Sequence, residues 1–115
     1  YVECENGQKL DAALWKRDNG HKLLIVTLTY ESDTFSSQVC MAYDYDPTTR
    51  TLTPDLAVHK RLTQLEGTLC DLPRKGKNIG VRNIGSDTMR FYYLKWNGNG
   101  FSAPVKVATN TYQRP

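Results

Sequence analysis

The run from Asn78 to Phe101 constrains the fold more than any other part of the chain. It reads N-I-G-V-R-N-I, then G-S-D-T, then M-R-F-Y-Y-L-K-W, then N-G-N-G-F. Two stretches rich in β-branched and aromatic residues flank a turn cluster, and a second turn of Asn and Gly follows. Asn and Gly tolerate the positive φ that tight hairpins need. Such a segment can hardly be anything but a meander of antiparallel strands. Arg90, Tyr92, Leu94 and Trp96 alternate onto one face, and Met89, Phe91, Tyr93 and Lys95 onto the other.

The first half uses the same grammar. Ala13–Arg17 predicts a strand, Asp18-Asn19-Gly20-His21 a turn, and Lys22–Tyr30 a long strand. In that long strand Leu24, Val26, Leu28 and Tyr30 share one face, while Leu23, Ile25, Thr27 and Thr29 share the other. This pattern predicts burial on both faces at the start and on one face near the end. Gln38–Asp46 alternates again, with Val39, Met41, Tyr43 and Tyr45 opposite Cys40, Ala42, Asp44 and Asp46. Asp46-Pro47-Thr48-Thr49 reads as a turn, and Arg50–Thr53 as a short returning strand stopped by Pro54. Asp55–Leu65 fits two periods. Val58, Leu62 and Leu65 are spaced as on a helix, whereas Leu56, Val58 and Leu62 also suit an alternating strand; a strand at Ala57–Leu62 is expected. Thr68–Leu72 predicts a short strand, and Ala103–Thr109 a closing or edge strand. Trp15 before Asn19-Gly20 and Trp96 before Asn97-Gly98 give the halves a loosely similar order. The expectation is one all-β domain over residues 1–115: an antiparallel meander or sandwich with blade-like hairpins, seven or eight strands in all.

The 115-residue length suits a single core, and 39% apolar residues concentrated in strand-like runs argue against disorder. No apolar stretch is long enough for a membrane span. The net charge of +3 conceals an asymmetry. Five Lys/Arg stand against nine Asp/Glu up to Ala57, and ten against three from Val58 onward. Lys60, Arg61, Arg74, Lys75 and Lys77 therefore form a candidate patch for an anionic partner, set against the simpler role of keeping strand edges soluble. No nucleic-acid motif accompanies them, and no nucleic-acid partner is expected. The three cysteines, Cys4, Cys40 and Cys70, lack metal-ligand spacing; one pair can close in an oxidising compartment, with the pairing left open. The chain begins at Tyr1 without a methionine, so a processed or trimmed chain is expected, from which any signal peptide is already gone; its absence carries no information about export.

Chemistry-bearing residues are sparse. Asp44 and Asp46 project to one side of a strand and suggest a Ca²⁺ site, but the following loop adds no carboxylate, and initiation of the Pro47 turn accounts for them. His21 falls in a predicted turn, where solvation is expected. His59 and Cys70 can be imagined as base and nucleophile, yet no nucleophile elbow or cysteine signature supports the pair. The glycine-bearing loops lack the GK[ST] of a phosphate loop. No cofactor, metal or catalytic residue is therefore expected. Trp15, Tyr92 and Trp96 are the candidate ligand-binding residues, since exposed rings can stack on a sugar or anchor a protein; the competing role is core packing.

The runs Y-D-Y-D-P-T-T-R-T-L-T-P (Tyr43–Pro54), L-P-R-K-G-K-N-I (Leu72–Ile79) and Y-L-K-W-N-G-N-G-F (Tyr93–Phe101) resemble small exported all-β domains of gut Gram-negative bacteria, a family without an assigned function. The resemblance implies a periplasmic or cell-surface setting, as a secreted protein or lipoprotein. It supplies no catalytic residues. The expected function is a non-catalytic domain that binds a macromolecule or supports a cell-envelope assembly. A carbohydrate-binding module using exposed aromatics is the alternative, and a small hydrolase a more distant one.

Overall fold

The computed structural model describes residues 2–3, 8–31, 36–64, 68–73, 76–84, 89–108 and 111–112. Five strands, β1 (Val2–Glu3), β2 (Gln8–Lys16), β3 (Lys22–Glu31), β4 (Ser36–Asp46) and β5 (Thr51–Pro54), pair in chain order as one antiparallel sheet. A short helix, α1 (Leu56–Thr63), follows. Four more strands, β6 (Thr68–Asp71), β7 (Ile79–Ile84), β8 (Met89–Leu94) and β9 (Val105–Val107), form a second antiparallel meander. The all-β expectation holds, with nine strands among the described residues and two open sheets rather than a closed barrel.

The predicted turns fall where their chemistry requires. Gly20 closes the β2–β3 hairpin at φ 88°, and Gly98 sits at φ 94° in the turn after Trp96. Asn97 Oδ1 accepts from the backbone N–H groups of Asn99 and Gly100 at 3.0 and 2.8 Å. Asp46 Oδ1 likewise accepts from Thr48 N at 2.9 Å and starts the β4–β5 turn.

The segment expected as a strand at Ala57–Leu62 is instead helical. Asp55 caps it: the side chain accepts from Val58 N at 3.0 Å, as an N-cap carboxylate does. Leu, Ala, Lys and Arg favour the helix intrinsically. Val58 and Leu62, one turn apart, bury its inner side.

One core joins all three layers. Leu23, Ile25, Cys40 and Ala42 from the first sheet meet Val58 and Leu62 of α1 and Ile79, Val81 and Leu94 of the second. The inner face of β3 is thus the one carrying Leu23 and Ile25, and it continues through Thr27 and Thr29, both buried. Here the alternation pattern misleads. Near the end of β3 the threonines point inward, and Leu28 is exposed. Polar groups on the inner face are tolerated because they are paired. Gln38 Nε2 donates to Thr29 Oγ1 at 2.9 Å and to Cys70 O at 3.0 Å, while Gln38 Oε1 accepts from Cys70 N at 2.8 Å. A neighbouring strand would make the same two bonds to Cys70, so one side chain caps the edge strand β6 and ties the two sheets together.

The far side of the second sheet has its own small cover. Tyr112 stacks on Phe91 and Tyr93, with ring centroids 4.5 and 5.4 Å away, and its hydroxyl donates to Asp71 Oδ2 at 2.6 Å. Arg82 makes a two-pronged pair with Asp71 at 2.9 and 3.0 Å. Burial, with the bond to Asp71 adding to it, pushes the Tyr112 hydroxyl well above its ordinary pKa.

Candidate binding surface

Arg17, His21, Asp44, Asp46 and Asp55 gather where the β2–β3 hairpin, β4 and α1 meet. Arg17, with its side chain 8% exposed, donates from Nη1 to Asp44 at 2.6 Å, from Nη2 to Asp55 at 2.5 Å and from Nε to Asn99 O at 2.8 Å. His21 Nδ1 lies 2.7 Å from Asp44 and Nε2 lies 3.7 Å from Asp46. His21 is therefore engaged rather than solvated as the turn position suggested. Partial desolvation acts to raise the Asp44 carboxyl, but the hydrogen bonds from His21 and Arg17 outweigh it and hold the group below its usual range. The carboxylates here are already engaged, Asp44 by Arg17 and His21, Asp55 by Arg17 and Val58 N, and Asp46 by Thr48 N. Asp44 and Asp46 serve the fold, and no group of metal-ligating side chains occurs among the described residues.

The other predicted site residues are dispersed. Trp15 is 4% exposed, packs edge-on against Phe101 at 5.3 Å and lies 6.0 Å from Trp96, and its indole N–H donates to Lys77 O at 2.9 Å. Its ring is core and cannot stack on a ligand. This corrects the reading of Trp15 as a binding residue, for the reason that a large ring stabilises a small β core more than a surface. Tyr92 and Trp96 are half-buried against the same core. Lys60 and Arg61 lie exposed in the last turn of α1, and Lys77 is exposed in the approach to β7; Arg74 and Lys75 fall outside the described residues. Cys40 and Cys70 are both free thiols, buried side by side. The bond Cys70 gives Cys40 lowers the pKa of Cys40, and the same bond with burial raises that of Cys70. Cys70 Sγ also faces Leu62 O at 3.7 Å, while His59 is on the exposed side of α1, so the structure supports no nucleophile–base pairing between them. Cys4 lies outside the described residues.

What the arrangement does expose is the outer face of the five-stranded sheet. The register places Leu10 opposite Leu28 and Val39, Ala12 opposite Val26 and Met41, and Leu14 opposite Leu24 and Tyr43. Tyr45 and Leu52 extend the rows toward the β5 edge. Leu14 is 63% exposed, Val39 58% and Leu52 51%, with Leu10, Leu28 and Met41 each at 38%. No carboxylate interrupts this face among the described residues. Its charges are Lys16 and Lys22, paired at one end; Gln8, Tyr30 and Ser37 form the other end. This contiguous apolar row is the candidate interaction surface of the chain. Alternation in β2, β3 and β4 contained this signal, because Leu10, Leu14, Leu24, Val26, Leu28, Val39 and Met41 form apolar rows on the side opposite Trp15, Leu23, Ile25, Cys40 and Ala42, and the sequence offers only one core to fill.

Shallow depressions add little to this. One of about 260 Å³ is lined by Arg17, Asp55, Arg61, Asn97 and Asn99, whose central guanidinium is already spoken for. Another of about 460 Å³ follows β2 from Asp11 to Trp15 beside Pro73 and Gly76. In comparisons with protein-family models, curated proteins and solved structures, nothing matches this chain.

Proposed function

We propose that this chain is a non-catalytic binding domain, working in the cell envelope as its sequence resemblance implies, and that it engages its partner through the outer face of the five-stranded sheet. The observation that carries this reading is the apolar continuity of that face across β2, β3, β4 and β5. Residues such as Leu14 and Val39 contribute nothing to the core, and leaving them in water has a cost that covering them recovers, at about 25 cal/mol per Å². The glycan-binding alternative loses its main support with Trp15 in the core.

The test compares the native chain with Leu14→Lys/Val39→Lys, both changes at well-exposed positions. The native chain is expected either to bind an apolar-surface dye while folded or to hold the face covered by association, and the double variant to do neither. A folded native chain that stays monomeric and takes up no dye overturns the reading. Hydrolase activity abolished by His59→Ala would overturn its non-catalytic part.

A further inference from the structure

Building on the outer-face reading, we infer that the occupant of this surface is a second copy of the same chain, packed sheet on sheet about a two-fold axis. Size is the first argument. Strands β2, β3 and β4, with about seven residues each, and the four residues of β5, at about 4.8 Å spacing and about 3.3 Å rise, present a patch of roughly 400 Å² in projection. Two such patches sum to roughly 800 Å² in projection, and the relief of their side chains brings the accessible area they bury toward the roughly 1,000 Å² at which specific interfaces begin. A sheet face of alternating Leu, Val and Tyr also meets another such face at the ordinary inter-sheet spacing of about 10 Å, as the layers of a sandwich do.

Charge then selects the orientation. Lys16 and Lys22 occupy one end of the face, and Tyr30 with Ser37 the other. A two-fold axis along the strands would set the four lysines of a pair against one another. An axis lying in the interface and crossing the strands instead brings each lysine pair over the Tyr30 end of the opposite copy, where an ammonium and an aromatic ring attract. In that arrangement β3, the strand between β2 and β4, crosses its own counterpart, and Val26 at its middle lies near the axis. The contact is self-complementary, as closed homodimers require.

Sedimentation equilibrium of the whole chain tests this. The native protein is expected to sediment at twice 13.1 kDa at tens of micromolar, by the scale of a modest interface. Leu14→Lys/Val39→Lys is expected to return it to the single-chain mass with an unchanged circular dichroism spectrum. A second variant, Lys22→Glu, tests the orientation: it removes the ammonium from over Tyr30 and is expected to weaken association at least threefold. A native chain that stays at single-chain mass, yet binds the dye or vesicles of phosphatidylcholine and phosphatidylglycerol through this face, overturns the second copy as occupant and leaves the outer-face reading standing. A single-chain mass with no dye uptake overturns both. A dimer that persists in the lysine double variant places the contact elsewhere and overturns the inference.

Discussion

Arg17 ties together four parts of the fold. It joins the end of β2 to β4, to the cap of α1 and to the Asn97–Gly100 turn, through Asp44, Asp55 and Asn99 O. Removing the buried guanidinium leaves two partly buried carboxylates without that cationic partner. Arg17→Met is therefore expected to lower unfolding free energy by about 2–3 kcal/mol, read from denaturant midpoints. Asp44 gives the same network a pH signature. Its carboxyl titrates lower in the folded state than the roughly 3.9 of a free aspartate, so the unfolded chain takes up the proton first as pH falls. The stabilisation is complete above that value and is lost as pH drops through the lower folded value. Asp44→Asn is expected to flatten the acid limb of a stability-against-pH profile measured by thermal melts from pH 6 to about 2. At this scale the sequence showed the residues but not their roles. Asp44 and Asp46 were visible as a pair on one side of a strand, whereas the guanidinium that claims Asp44 comes from 27 residues away.

Among the elements, the meander was readable and the helix was not. Asn97-Gly98-Asn99-Gly100 and Asp18-Asn19-Gly20 dictate turns by local chemistry alone, and both hairpins follow. Val58 and Leu62 fit either period, so the decision rested on Asp55, whose capping role was the missed signal. Asp55 has two functions that substitution can separate. Asn caps nearly as well as Asp, so Asp55→Asn keeps the bond to Val58 N and weakens only the ion pair with Arg17. Asp55→Ala loses both. The alanine variant is expected to be less stable than the asparagine variant by about 1 kcal/mol, with the difference appearing also as reduced helical signal in far-ultraviolet circular dichroism. The inner face of β3 was opaque for a different reason. Thr27 and Thr29 look like solvent-facing residues until Gln38, on the neighbouring strand, supplies Thr29 with a partner.

For the whole molecule, the two sheets hold together through a shared apolar core and a few polar ties. Gln38 is the most economical tie, because its amide makes bonds to both backbone groups of Cys70 and to Thr29 at once. Gln38→Leu is expected to cost about 2–3 kcal/mol, since it leaves a buried N–H and C=O of β6 unpaired, and faster amide exchange at Cys70 should accompany the loss. Which face of the first sheet turns inward was not decidable from sequence, because the Leu24–Tyr30 face is the more apolar of the two. The inner face is set by what the second sheet and α1 bring to it, and those contacts are all long-range.

The ring of Tyr112 lies over Phe91 and Tyr93 and is held there by Asp71. For protein engineering this sets a boundary. A reporter, affinity tag or fusion partner joined after Tyr112 leaves the lid in place. Clipping the chain ahead of it would bare two aromatic rings and add a second apolar patch to the surface.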